Sequence, residues 1–129
     1  MTMKANILFT INRPSYLETT RIMCAPEDVK AALGGKPVMV NSAFRCKQVN
    51  DAVGSKDSSQ HRSGCAVDIR VPELTPDEVV KTIIAAGLPY DQLIREFDRW
   101  THISIPSRPN TEPRKQVLII DKQGTRAYT

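Results

Sequence analysis

Residues 58–72 read SSQHRSGCAVDIRVP, a polar loop that runs directly into an alternating apolar stretch. The alternation over Cys65–Val71 predicts a β-strand with Asp68 on one face and aliphatic side chains on the other. His61 lies in the preceding loop, and Gly64 lets the chain turn sharply before the strand. Ala66 shares the face of Asp68 and is small enough to leave space there. The stretch therefore favours a site formed by a loop imidazole and a strand carboxylate.

The rest of the chain is divided into short predicted helices and strands, without internal repeats. Because most strands follow one another and do not alternate with helices, the order predicts an α+β fold. We expect a single compact domain over residues 1–129, with a mostly antiparallel sheet and short helices packed on it. The predicted strands are 6–14, 37–45, 65–71, 90–97, 100–105 and a final hairpin of 115–121 with 122–128, and the predicted helices are 25–33, 46–54 and 75–87.

The clearest helix signal covers residues 75–87. Thr75 is the expected N-cap, Pro76 takes the first helical position, and Glu78 completes a capping box. Gly87 is expected to end the helix. The predicted apolar stripe consists of Val79, Val80, Ile83 and Ile84.

Composition limits the class of protein and its partners. No apolar run approaches the roughly 20 residues that cross a bilayer, and residues 1–20 carry no apolar core followed by a cleavage site, so neither a membrane span nor a signal peptide is expected. Cys24, Cys46 and Cys65 are widely spaced and form no CxxC pair, which predicts reduced thiols in a protein made in the cytosol. The net charge of +4 suits an anionic partner such as a cell wall, while the scarcity of aromatic residues argues against a nucleic-acid groove.

The chain has two histidines, His61 and His102. Together with Asp68 they form a donor set that suits zinc, and three protein ligands leave a coordination position open, as in catalytic zinc sites. The alternative is that the loop histidine is solvated and that the aspartate pairs with an arginine. Only convergence of the three side chains in space separates the two interpretations.

Three segments resemble the zinc-dependent M15 peptidases, the D-alanyl-D-alanine carboxypeptidase and dipeptidase family. Residues 59–68, SQHRSGCAVD, match the family motif S-x-H-x-x-G-x-A-x-D. Residues 40–55 resemble the segment in which a strand ends in S-x-[FY]-R before a short helix, and residues 90–105 resemble the closing L-I-x-E-F and W-x-H-x-S segments. The resemblance spans residues 38–105 and looks most similar to the small single-domain type of bacteriophages and prophages. It implies that His61, Asp68 and His102 are the three zinc ligands.

The resemblance also implies an acidic residue that transfers protons, placed shortly before the last histidine. Glu96, in LIREF, is the preferred candidate and Asp98 the alternative; the competing interpretation of Glu96 is an exposed carboxylate paired with a lysine. A three-residue turn after Glu96 would place it opposite His102 and a two-residue turn would not, so this assignment depends on the register of the hairpin. Relatives with a shorter separation between the two residues carry the acid three positions before the histidine, where this chain has Arg99.

Three further residues are predicted to contact substrate. Arg45 corresponds to the family arginine that interacts with substrate carboxylate or carbonyl oxygens, a task that suits a planar guanidinium; the alternative is an ion pair with a site carboxylate. Ser59 either hydrogen-bonds substrate or a metal ligand, or stabilises the loop. Trp100 shares a strand face with His102 and either walls the pocket or packs in the core.

These residues imply a zinc peptidase that hydrolyses peptide bonds of bacterial peptidoglycan, as an endolysin or a virion-associated wall hydrolase. We expect it to be made in the host cytoplasm and to act at the cell wall or as part of a phage particle, with other virion proteins as further partners. No nucleic-acid or membrane partner is expected. The alternatives are a structural or binding virion protein that keeps the fold with little hydrolysis, and a cytosolic dipeptide hydrolase.

Overall fold

The computed structural model describes residues 26–108 and 110–129. The predicted strand at 6–14 and Cys24 lie outside these residues. Within them the chain forms three helices and six strands, which agree in order with the sequence prediction. The helices are α1 (Pro26–Ala32), α2 (Lys47–Ala52) and α3 (Pro76–Ala85), and the strands are β1 (Met39–Ser42), β2 (Ala66–Arg70), β3 (Gln92–Glu96), β4 (Trp100–Ser104), β5 (Gln116–Asp121) and β6 (Gly124–Ala127).

The six strands form one sheet in the order β1-β2-β4-β3-β5-β6. Four of the five neighbouring pairs are antiparallel, and β3 with β5 is parallel. The fold is therefore α+β with a mostly antiparallel sheet, as predicted. None of the helices in the described residues is long and apolar enough to cross a membrane.

Helix α3 begins as its sequence predicts. The Thr75 hydroxyl accepts a hydrogen bond from the Glu78 N–H at 3.2 Å, and the Glu78 carboxylate accepts one from the Thr75 N–H at 2.7 Å, which completes the capping box. Val79, Val80 and Ile83 are buried, whereas Ile84 is 42% exposed, contrary to the predicted stripe. At about 100° per residue, position 84 lies about 90° from the centre of the buried stripe, which places it on the flank of the helix.

The sheet separates an apolar face from a polar one. Val67, Ile69, Leu93 and Ile103 belong to the core cluster that also contains the buried residues of α3. Side chains alternate along a strand, so the neighbours of these residues on β2, β3 and β4 lie on the opposite face. Cys65 packs in the core cluster, and Cys46 forms no disulfide within the described residues.

Candidate metal centre

His61 is held by the loop that precedes β2. Gly64 adopts a φ of 73°, and the Cys65 N–H donates to the Gln60 carbonyl at 2.8 Å, so the chain folds back over the strand. The ring is buried, and its Nδ1 lies 2.7 Å from the Ala43 carbonyl oxygen. Because a carbonyl only accepts hydrogen bonds, Nδ1 carries the proton and Nε2 points to the site with its lone pair.

Asp68 and His102 are direct partners across the β2–β4 pair. His102 Nδ1 lies 2.9 Å from Asp68 Oδ1, and His61 Nε2 lies 3.2 Å from the same oxygen. The two imidazole rings meet edge to face, with centroids 5.1 Å apart. The structure thus brings together the three residues that the sequence predicts as metal ligands.

The donor set fits a metal ion. One ligand atom from each of the three residues lies within 4.8 Å of the others, and all three side chains are buried. When His61 is neutral, its Nε2 lone pair faces a carboxylate oxygen at 3.2 Å, and a cation or a proton bound between these two buried acceptors would relieve their repulsion. Burial raises the pKa of Asp68, but the imidazole nitrogens of His102 and His61 that lie close to its Oδ1 outweigh that effect and hold the pKa below its usual range, so the carboxylate is charged.

Glu96 is the carboxylate beside this cluster, although its register differs from the prediction. The β3–β4 turn has three residues, but Glu96 is paired with Trp100, and Ile94 is opposite His102. The prediction that a three-residue turn places Glu96 opposite His102 is therefore wrong. Glu96 and His102 still share a face as diagonal neighbours, and Glu96 Oε1 lies 3.9 Å from His102 Nδ1.

The surroundings of Glu96 raise the pKa of its carboxyl above the ordinary value. Its side chain is only 17% exposed, and it makes no lysine pair among the described residues. Burial is the main cause that raises its pKa, and the negative charge of Asp68 adds to it, while His102 and the Trp100 indole act in the opposite direction. The indole contact falls short of hydrogen-bond geometry, since Trp100 Nε1 has no partner in the described part of the chain. A raised pKa is typical of a carboxyl that both takes and returns a proton near neutrality.

Asp98 is tied to a different partner. It lies in the turn with a φ of 51°, and its carboxylate accepts a 2.5 Å hydrogen bond from Arg95 Nε. Arg95 also lies 3.6 Å from Asp77 at the start of α3, so this ion pair belongs to the helix-covered face. The geometry thus separates the two acidic candidates and leaves Glu96 beside the histidines.

Arg45 lies next to the loop that carries His61. Its backbone N–H donates to the His61 carbonyl at 3.0 Å, and its Nε is buried without a hydrogen-bond partner among the described residues. No ion pair joins it to Asp68 or Glu96 within the same residues. The guanidinium therefore has no partner at either site carboxylate, and its buried Nε is an unsatisfied donor in the described part of the chain.

The structure favours one of the two predicted roles of Ser59. Its hydroxyl accepts a hydrogen bond from the His61 N–H at 3.2 Å, so it stabilises the loop that presents the histidine.

Trp100 is half-buried and packs against Phe97, with ring centroids 5.7 Å apart. It is the cross-strand partner of Glu96 in the β3–β4 hairpin. It belongs to the wall of the site rather than to the core cluster.

An ion pair next to the site, between the buried Asp91 and the half-exposed Arg114, escaped the sequence analysis. Asp91, 3% exposed, accepts hydrogen bonds from Gln60 Nε2 at 2.8 Å and from Arg114 at three nitrogen atoms. Gln60 also donates to the Ile105 carbonyl at 2.8 Å. This network joins the loop of His61 to the end of β4 and the start of β5. Asp91 and Arg114 are 23 residues apart in irregular segments, where periodicity carries no signal.

Comparison with known proteins agrees with this geometry. A family model described as Peptidase M15 matches residues 5–104, which include the three candidate ligands, Glu96 and Arg45. No curated protein matches the chain.

Proposed function

Because the chain belongs to the peptidase M15 family, we propose that it is a zinc-dependent peptidase that hydrolyses peptide bonds of bacterial peptidoglycan. The observation that carries the proposal is the convergence of His61, Asp68 and His102 with Glu96 on one face of the sheet. Two imidazoles and a carboxylate suit zinc better than the oxygen-seeking magnesium or calcium ions. When bound, zinc supplies Lewis acidity toward a peptide carbonyl and activates water near neutral pH.

The chain's own residues carry the proton transfers. Glu96 takes a proton from the attacking water at a carboxylate oxygen and returns it to the amine as the carbon–nitrogen bond breaks. Its raised pKa supports this shuttle, since the protonated and charged forms are then closer in free energy near neutral pH. His61 is kept in one tautomer by the Ala43 carbonyl, so its Nε2 is available as a ligand.

Arg45 orients the substrate in this proposal. Its guanidinium offers a planar pair of donors for a carboxylate or carbonyl oxygen, and its buried Nε has no other partner among the described residues. The net charge of +4 supports attraction to an anionic wall. The resemblance to small phage and prophage members supports a role as an endolysin or a virion-associated wall hydrolase.

Isolated cell walls provide the test. Purified protein is incubated with walls in the presence and absence of a chelator, and the released fragments are identified by mass spectrometry. We expect new free amino groups that disappear on chelation and return when zinc is restored. Walls left intact under zinc-replete conditions would refute the proposed hydrolysis and favour a binding role in a virion.

A further inference from the structure

The side chain of Gln60, the residue that precedes the candidate ligand His61, is held at two points. Its Nε2 donates to Asp91 Oδ2 and to the Ile105 carbonyl, both at 2.8 Å. Because these two bonds use both hydrogens of the amide nitrogen, they fix the orientation of the side chain. Gln60 is thereby joined to residues 31 and 45 positions further along the chain, directly before β3 and directly after β4.

His61 itself is held by a different set of bonds. Its carbonyl accepts a hydrogen bond from the Arg45 N–H at 3.0 Å, and its Nδ1 lies 2.7 Å from the Ala43 carbonyl oxygen. The histidine therefore lies between residues 43–45 on one side and the bonds of Gln60 on the other. A loop that is held at one point only can still pivot, whereas a metal ligand must keep its position to within about 0.5 Å.

Asp91 is a rigid partner for Gln60 because its own carboxylate is fixed. The residue is 3% exposed, and Oδ1 accepts a hydrogen bond from the Arg114 N–H at 2.8 Å. Oδ2 accepts from the Arg114 guanidinium at 3.0 and 2.6 Å as well as from Gln60. The Asp91 backbone is bound too, since its N–H donates to the Ser104 carbonyl at 2.7 Å and its carbonyl accepts from the Gln116 N–H at 2.9 Å.

The amide of Gln60 is not the choice that packing alone would favour. Its Oε1 is buried and has no hydrogen-bond partner in the described part of the chain. A buried acceptor left unpaired costs free energy, and an apolar side chain of the same length would avoid that cost. What the amide supplies is two donors, one for a carboxylate and one for a carbonyl, which neither glutamate nor methionine offers. The chemistry thus favours a positioning role for Gln60.

Two of these contacts come from beyond residues 5–104, the part of the chain that the family model matches. Ile105 follows the matched residues directly, and Arg114 lies shortly before β5, the strand that pairs in parallel with β3. The family match therefore does not account for the contacts that Ile105 and Arg114 make with Gln60 and Asp91.

We propose that Gln60 is a positioning residue for His61, and that Asp91 and Arg114 act through it to set how tightly the loop holds a metal ion. The bonds of Gln60 keep the loop in place, so that His61 Nε2 stays directed at the other candidate ligands. The inference rests on the proposed metal-dependent function. It adds to that function a dependence of metal affinity on Arg114, a residue that is neither a ligand nor part of the family match.

The zinc affinity of the full chain, measured by competition with a chromophoric chelator, tests the inference. Gln60→Met keeps the length of the side chain but removes both donors, and it should weaken zinc binding about tenfold and speed zinc release. Arg114→Gln changes a half-exposed side chain and should give a smaller loss in the same direction. Tyr128→Phe is the matched control, because it removes a 2.7 Å hydrogen bond to the Asp77 carboxylate on α3 and should leave zinc affinity unchanged.

A double variant tests whether Arg114 acts through Gln60. If it does, adding Arg114→Gln to Gln60→Met should cause no further loss of zinc affinity, since the contact that transmits the effect is already absent. Additive losses would show that Arg114 acts by another route and would overturn its part in the inference. Thermal unfolding of every variant reports its stability, so that zinc affinities are compared between folded proteins.

The imidazole tautomers provide a readout that needs no metal. The chain has two histidines, so nitrogen NMR spectra of the metal-free full-length protein contain signals from two rings. At mildly alkaline pH we expect His61 in the Nδ1–H form alone in the unmutated protein, because the Ala43 carbonyl requires a donor. Gln60→Met should give a mixture of tautomers at His61, and Tyr128→Phe should keep the single form.

The outcomes separate the inference from the proposed function. Unchanged zinc affinity with a single His61 tautomer in Gln60→Met overturns the inference and leaves the metal site intact. An equal loss of zinc affinity in Tyr128→Phe also overturns it, because general destabilisation then explains the effect. If the unmutated protein binds no zinc, the proposed function fails, and the His61 tautomers alone decide whether Gln60 positions the ring.

Discussion

Glu96 Oε1 lies 3.9 Å from His102 Nδ1, although the residue paired with His102 across the β3–β4 hairpin is Ile94. Two residues on the same face and one step apart on a diagonal have Cβ atoms less than about 8 Å apart, and a glutamate stem spans much of that gap. The diagonal placement leaves the His102 ring free to face Asp68. The acid thus lies beside the candidate ligands without taking part in the cluster.

We expect one metal ion per chain, bound by His61, Asp68 and His102. His61→Ala should abolish stoichiometric zinc, because it removes one of three ligands. Zinc at a hundredfold excess over its dissociation constant should stabilise the unmutated protein by about 2.7 kcal/mol. Elemental analysis and thermal unfolding with and without zinc measure both effects. Asp57→Asn, at an exposed ion pair with Arg62, is the control that keeps the metal. Absence of bound metal together with an unchanged melting temperature contradicts the site.

Glu96→Gln should lower the rate of wall hydrolysis by about a hundredfold or more, because the amide keeps the size of the side chain but cannot carry the proton. Bound zinc should be retained, since Glu96 is not a ligand. Asp98→Asn is the matched control: its carboxylate is engaged by Arg95 on the other face, so activity should change little. Both variants are assayed on the same walls with metal content measured in parallel. If Asp98→Asn is inactive and Glu96→Gln cleaves normally, the two roles are exchanged.

Arg45→Lys should reduce kcat/KM while leaving thermal stability nearly unchanged. Lysine keeps the positive charge but loses the planar pair of donors, and no ion pair to Asp68 or Glu96 is lost with the guanidinium. Steady-state kinetics and thermal unfolding on the same preparation measure the two properties. A large loss of stability with normal specific activity would identify Arg45 as a structural residue.

The Asp91–Arg114 pair should make stability depend on pH. Burial raises the pKa of Asp91, but the hydrogen bonds from Arg114 and Gln60 outweigh it and the pKa in the folded protein is lowered. The stabilisation is therefore fully present above the unfolded pKa of about 4 and is lost as the pH falls through the lower folded value.

Asp91→Asn should accordingly destabilise the protein by about 2 kcal/mol at pH 7, as expected for hydrogen bonds to a charged group, with a smaller difference at pH 3. Denaturant unfolding at both pH values measures it, and the exposed Asp57→Asn serves again as the control. An equal deficit at pH 3 and pH 7 would show that the charge of Asp91 does not contribute.

Short-range sequence patterns were sufficient to predict many of the helices, strands and turns. The capping box of α3, the alternation of β2 and the β5–β6 hairpin were all predictable, because each depends on residues within a few positions of one another. Where the prediction was wrong, the error was geometric. With residues 97–99 in the turn, Glu96 pairs with Trp100, and only a longer loop would bring it opposite His102. The exposure of Ile84 has a similar origin, since helical periodicity defines a stripe but not which flank the sheet covers.

The sequence by itself determined the α+β class, the order of elements and the identity of the candidate ligands, because strand alternation, helix caps and a short motif are local properties. The tertiary structure decided which groups contact and orient those candidate ligands. The Ala43 carbonyl that orients His61, the diagonal approach of Glu96, the Asp91–Arg114 pair and the parallel docking of β5 on β3 all join distant segments. Such contacts depend on how the chain closes its loops and satisfies buried polar groups as a whole, a balance that no single stretch of sequence contains.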